Sequence, residues 1–219
     1  MKIREPNIIF VAGVHGNEKM PVRALAENNI PFILGNPQAQ KKNVRFISRD
    51  LNASFGMRGK GYEVKRAAEI LKEIDKNILV VDFHTTAAPI PFVIICDKKI
   101  LPLAARVGLG RVVLMKYNIK KGHALINYRN GISIETGSHT SKKSYDLTLK
   151  IVRNILGGKK HPIKLYEVYG KILKPGRYHN FRRHPDGFIP VLAGEKAYDF
   201  YGLKARQIFN DWADIRNIN

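Results

Sequence analysis

The chain has 219 residues, 44% hydrophobic and 26% charged, a balance that fits an ordinary globular protein and excludes disordered, collagenous and disulfide-stapled classes. Its formal net charge of +20 attracts polyanions in a salt-dependent way. The basic residues nevertheless lie in scattered pairs such as Lys41-Lys42, Lys98-Lys99, Lys120-Lys121 and Lys142-Lys143, so the expectation is a solvated basic surface and no specific nucleic-acid partner.

The apolar runs are strand-length, far short of the roughly 20 residues that span a bilayer. The opening Met1-Lys2-Ile3-Arg4-Glu5-Pro6 leads into no long apolar core or small-residue cleavage site, which predicts no signal peptide and a cytoplasmic protein. The single cysteine, Cys96, cannot form an intrachain disulfide and is expected as a small buried hydrophobe in a reducing compartment.

In chain order, Ile- and Val-rich runs at 7–14, 44–48, 78–83, 91–96, 111–115 and 131–135 predict strands. Between them, 62–75 reads as a helix with Val64, Ala67, Ala68, Leu71 and Ile74 on one face and Glu63, Lys65, Lys72 and Glu73 largely on the other. A second helix, 141–156, opens on a capping Ser141 and closes at Gly157-Gly158. This alternation predicts an α/β fold, a mixed sheet covered by helices, over residues 1–160. Beyond it, short strand-like pieces at 163–169, 171–173 and 187–192 predict a small β-rich C-terminal lobe over 161–219, whose last segment, 202–219, reads equally as strand then helix or as a frayed tail.

Three strand ends carry chemistry. The first ends in Gly13-Val14-His15-Gly16-Asn17-Glu18, where an imidazole and a carboxylate three positions apart on a tight turn can converge on one Zn²⁺. The plainer alternative is a histidine packed under a turn beside an exposed glutamate. The second, Asp82-Phe83-His84-Thr85-Thr86, puts Asp82 and His84 on one strand face, so the carboxylate can orient the imidazole, unless His84 is simply a satisfied core histidine. The third, Ile134-Glu135-Thr136-Gly137, leaves a carboxylate at the end of an apolar run, where it serves either as a general base of raised pKa or emerges into solvent.

Together with Gly35-Asn36-Pro37, Arg45-Phe46-Ile47, Asp50-Leu51-Asn52, Tyr62-Glu63-Val64-Lys65-Arg66-Ala67 and a weaker Glu195-Lys196-Ala197-Tyr198, these strings resemble the succinylglutamate desuccinylase/aspartoacylase family of the zinc carboxypeptidase superfamily. The resemblance implies a zinc carboxypeptidase-like fold with one Zn²⁺ per chain on His15, Glu18 and His84, leaving the fourth position open to water. It also implies that Glu135 acts as general base and then as acid to the leaving nitrogen, that Arg45 polarises the acyl carbonyl, that Asn52 binds a substrate carboxylate or amide, and that Tyr198 reaches in from the small lobe.

The expected activity is hydrolysis of a C–N amide bond in an N-acyl amino acid or related small linear amide. The alternatives are a zinc peptidase or amidase on short peptides, or a polyanion-binding protein on an inherited hydrolase fold. One departure bears on substrate. The family usually follows the Asp-Leu-Asn string with a carboxylate-gripping arginine, and here that position is Ala53. A further arginine of the aspartoacylases has Leu125 at its matching distance. Arg49, Arg58, Lys120, Lys121 and Arg129 are the candidates to stand in.

Overall fold

The computed structural model describes residues 7–86, 90–116, 121–195 and 198–209. Among these described residues, nine strands form one mixed sheet: β1 (Ile8–Ala12), β2 (Phe32–Leu34), β3 (Leu79–His84), β4 (Phe92–Ile95), β5 (Arg111–Leu114), β6 (Gly131–Glu135), β7 (Lys164–Ile172), β8 (Ile189–Val191) and β9 (Gly202–Phe209). Six α-helices accompany them: α1 (Lys19–Glu27), α2 (Pro37–Lys42), α3 (Tyr62–Glu73), α4 (Leu101–Val107), α5 (Leu125–Tyr128) and α6 (Lys142–Leu156). The strand order is β2-β1-β3-β6-β4-β5-β7-β9-β8. Pairing is parallel except where β4 meets β6 and where β9 meets β7 and β8.

Period-two alternation sorts the side chains. One sheet face presents Phe10, Ala12, Val81, Phe83, Ile132 and Ile134 to a core capped by α1, α4 and α6. On the opposite face, Val11 and Val80 pack under α3, whose Ala67 and Ile70 join Leu51 and Phe55. That face also carries Asp82 and His84 of β3 and Ser133 and Glu135 of β6, in register as Asp82↔Ser133 and His84↔Glu135. Polar groups thus occupy the sheet's centre exactly one strand apart, between two apolar cores.

The expected strand at 44–48 is instead an irregular loop. Its backbone finds partners other than a strand: Val44 N–H donates to Ala39, the Arg45 carbonyl accepts from Gly16 N–H, and Ile47, Ser48 and Arg49 N–H groups donate to the Glu63 carboxylate. Glu63, expected on the solvent side of its helix, is fully buried to receive them. The sequence reading also passed over β2, a three-residue edge strand after Pro31.

The sheet continues through the position of the expected boundary, since β7 pairs parallel with β5. The segments at 163–169 and 171–173 join as one strand, irregular in register between Val168 and Gly170 where it pairs β9. A separate apolar cluster of Tyr166, Val168, Val191, Leu192, Phe200 and Leu203 lies over this half and takes in Phe92 and Val113 of the other. The open choice at 202–219 resolves to strand as far as Phe209, and the remainder lies outside the described residues. Among the described residues, no helix is long and apolar enough to cross a membrane.

Candidate metal centre and active site

Three strands deliver the site from their carboxyl ends, the edge at which open α/β sheets bind ligands. After β1, Gly13 turns with φ of +71° and Gly16 passes so close to the Ala39 backbone that a Cβ would sit 2.1 Å from its carbonyl carbon. The tight turn carries His15 and Glu18 back over the sheet. Glu18 Oε1 lies 2.7 Å from His15 Nδ1, and its Oε2 lies 3.2 Å from His84 Nδ1. All three side chains are buried, and one ligand atom from each falls within 4.8 Å of the others.

Each histidine is held from behind by a carboxylate. His84 Nε2 is 2.8 Å from Asp82 Oδ2, and His15 Nε2 is 3.0 Å from Asp50 Oδ1. In the tautomers that donate Nε2–H to these aspartates, both Nδ1 atoms face the common point, the arrangement that fixes imidazole ligands in metal sites. Asp82 was expected in this role. Asp50 was not, although it stands in the Asp50-Leu51-Asn52 string; its Oδ1 also caps the turn Leu51–Ala53 through Asn52 N–H, a signal legible in the sequence as an Asx turn.

The electrostatics suit a cation. Burial alone would raise the Glu18 pKa, but the charges and hydrogen bonds of His15 and His84 outweigh it and hold the carboxyl well below its usual range. Burial would likewise lower His84, yet Asp82 and Glu18 hold its pKa well above the usual value. Two imidazole nitrogens and one carboxylate oxygen, preorganised and backed by aspartates, make a donor set that fits Zn²⁺ with an open position.

Glu135 stands beside this cluster, at the end of β6. Its Oε2 is buried with no hydrogen-bond partner among the described residues. Burial, with Glu18 and Glu195 adding and His84 and Arg45 opposing, pushes its pKa up to about 8. Arg45 approaches from the opposite loop, with Nη2 3.4 Å from Asp50 Oδ2 and Nη1 4.0 Å from Glu18 Oε1. His15, Glu18, Arg45, His84 and Glu135, with Asn52, Thr85, Leu192, Glu195 and Tyr198, line one cleft. The seven residues to which the family resemblance gives a metal, catalytic or substrate role line this one cleft: His15, Glu18, Arg45, Asn52, His84, Glu135 and Tyr198. Tyr198 stacks on Phe200 at 4.7 Å, and burial together with Glu135 raises its phenol pKa. Glu195, quoted only within a motif, accepts a hydrogen bond from Thr86 Oγ1 at the cleft's edge.

A second cavity lies beside the first and shares Asn52, Glu135, Leu192 and Tyr198 with it. Cys96 lines it, half-buried rather than fully so, accepting from Asn127 Nδ2 at 3.2 Å, and burial pushes its thiol pKa to about 11. None of Arg49, Arg58, Lys121 or Arg129 lines either cavity. Arg129 is committed to the carbonyls of Ile74, Leu71 and Tyr128, and Lys120 lies outside the described residues.

A mixed sheet with helices on both faces and a His-Glu-His cluster at its carboxyl edge defines a zinc carboxypeptidase-like fold. Residues 4–138 match the model of the succinylglutamate desuccinylase/aspartoacylase catalytic domain, and the chain belongs to that family. It is 38% identical over 102 residues to a succinylglutamate desuccinylase of Pseudomonas paraeruginosa, a match covering 36% of this chain and 31% of that protein. The match spans about a third of the length of the curated relatives. Among solved structures, the succinylglutamate desuccinylase of Chromobacterium violaceum superimposes with a TM-score of 0.71 at 16% identity, over 94% of this chain and 86% of the other. Murine aminoacylase 3 gives 0.69 at 19% identity, over 95% and 97%.

Proposed function

We propose that the protein is a zinc-dependent amidohydrolase that cleaves the C–N bond of an N-acyl amino acid or a related small linear amide. The observation that carries this reading is the meeting of a buried His15, Glu18 and His84 donor set with a half-buried Glu135, whose Oε2 is buried without a hydrogen-bond partner among the described residues, in one cleft. Zn²⁺ on His15, Glu18 and His84, when bound, supplies Lewis acidity toward the attacking water and the acyl carbonyl.

The protein's own groups do the rest. Glu135 Oε2 takes the proton of the attacking water and returns it to the departing nitrogen; a pKa of about 8 suits a group that must both hold and release a proton near neutrality. The Arg45 guanidinium stabilises negative charge as it develops on the acyl oxygen. Asn52 bonds the substrate's carboxylate or amide, and Tyr198 closes over the reacting centre, excluding water.

The decisive experiment compares metal content and turnover in Glu135→Gln. Removal of a positioned general base should leave zinc bound at about one per chain while turnover falls at least about a hundredfold. Loss of zinc along with activity would make Glu135 a ligand or a structural group, and loss of neither would remove it from the reaction.

A further inference from the structure

The second cavity beside Glu135 has two kinds of lining. Its walls are apolar, from Ile94, Met115, Ile126 and Leu192. Its base is the pleat row just behind His84 and Glu135, where Asp82 pairs in register with Ser133 and Ser133 with Ile94. Asp82 is 1% exposed; its Oδ2 is engaged by His84, but Oδ1 is buried with no hydrogen-bond partner among the described residues. The same holds for Asn52 Oδ1 and Glu135 Oε2, which line the same cavity. Three residues lining this apolar-walled pocket thus each carry a buried acceptor oxygen without a hydrogen-bond partner, and no lysine or arginine lines it among the described residues.

We infer that this pocket takes an aliphatic side chain ending in a nitrogen donor, so that the preferred amine is a basic amino acid of the ornithine or lysine type and not an acidic one. The inference rests on the deacylase reading proposed above. Under it, Glu135 gives its proton to the leaving nitrogen and Asn52 holds the group beside it, and both line the pocket, so the amine half of the substrate faces it. The chain's methylenes would pack on Ile94, Met115, Ile126 and Leu192. A terminal ammonium would meet Asp82 Oδ1 and the Ser133 hydroxyl. A purely aliphatic chain would fill the walls while stripping water from the buried acceptors without replacing it. A carboxylate would meet the Asp82 and Glu135 carboxyls with only neutral donors, Ser133, Asn52 and Asn127, to offset them, and Ala53 stands where the family usually has an arginine.

The test compares kcat/KM of the zinc-supplemented full chain on Nα-acetyl derivatives of ornithine, lysine, norleucine, aspartate and glutamate. A gained charge-assisted contact should put ornithine or lysine about tenfold or more above norleucine, and about a hundredfold above aspartate and glutamate. Ile126→Arg, at a half-buried wall position on the short α5, should erase the basic preference and improve the acidic substrates. Acidic substrates equal to or ahead of basic ones in the unmodified chain, or norleucine equal to lysine, would overturn the inference, as would an unchanged preference in Ile126→Arg.

A readout without turnover separates this from the parent reading. Cys96, the chain's one cysteine, lines the pocket, so its rate of modification by methyl methanethiosulfonate reports occupancy. Free ornithine or lysine should slow that reaction several-fold at concentrations where aspartate does not. If no acyl amino acid is hydrolysed but ornithine or lysine alone protects Cys96, the deacylase reading fails and the pocket assignment stands. Protection by aspartate as strong as by ornithine, or by neither, overturns the assignment.

Discussion

Replacing Glu63 by glutamine changes one atom of a buried carboxyl, yet should cost a measurable share of the protein's stability. Its Oε1 accepts from Ile47 N–H at 2.6 Å and Asn36 Nδ2 at 3.3 Å. Its Oε2 accepts from the Ser48 hydroxyl at 2.6 Å, Ser48 N–H at 3.2 Å and Arg49 N–H at 3.3 Å. Burial works against the charged form, but these donors outweigh it and keep the carboxyl below its usual pKa. In Glu63→Gln one oxygen becomes an NH₂ group, which must point at donors whichever way the amide turns. At the Oε2 position it faces Arg49 N–H, while Ser48 N–H keeps only its longer contact to Oε1 at 3.4 Å; at the Oε1 position it faces Ile47 N–H and the Asn36 amide. Ser48 and Arg49 are exposed, so their N–H groups can turn to water, whereas the half-buried Ile47 N–H and the buried Asn36 amide have less recourse; a loss of about 1–3 kcal/mol is expected, against a typical total of about 5–15 kcal/mol. The same loop carries Arg45 on one side and Asp50 and Asn52 on the other, so turnover should fall too, although Glu63 is absent from the residues lining the cleft. Urea unfolding followed by circular dichroism, beside zinc titration and kinetics, measures both effects. A Glu63→Gln protein within about 0.5 kcal/mol of the parent would refute the reasoning, because surface-like changes fall in that range.

His84→Ala should lower bound zinc from about one per chain to a small fraction by elemental analysis, since a catalytic zinc depends on three protein ligands; full retention would exclude His84 as a ligand. Arg45→Ala should reduce kcat more than it raises KM, as expected of a contact formed mainly in the transition state, and a change confined to KM would reassign it to ground-state binding. The pKa of Glu135, raised from 4.5 to about 8 in the folded chain, means that its contribution is present below about pH 4.5 and is lost as pH climbs toward 8. In chelator-treated protein, Glu135→Gln should therefore gain on the parent as pH rises from 5 to 8, by at most about 1.4 kcal/mol per unit, and a gain that shrank with pH would contradict the burial argument. Filter binding at about 150 mM salt should find nucleic acid held only at micromolar strength and without sequence preference; a sub-nanomolar complex with one RNA would contradict a merely solvated basic surface.

Strand ends proved the most legible part of the sequence, because period-two burial and a polar residue after an apolar run are both local patterns. His15, His84 and Glu135 stand at the carboxyl edge because each follows buried residues of β1, β3 or β6. Residues whose role depends on distant partners were less legible. Glu63 has the spacing of an exposed helix position, and only the loop folding onto it from 47–49 makes it a buried acceptor. The same loop departs from the strand expected at 44–48, where an Ile- and Val-containing run looks like a strand but directs its N–H groups to side-chain and turn acceptors. Asp50 is legible as a turn former, whereas its grip on His15 spans 35 positions and appears only in three dimensions. The second cavity is a product of register between β3, β6 and β4, which no local pattern encodes.

The nine-stranded sheet ends on both sides in three-residue strands, β2 and β8. At the middle of β8 sits Pro190, which has no N–H to give, while its carbonyl is taken by Phe181 N–H at 2.9 Å. An exposed strand edge is the usual template on which chains stack into aggregates. Here each margin offers a newcomer at most a few rungs, and one of them is already blunted, so both edges of a wide sheet are poor templates for edge-to-edge pairing.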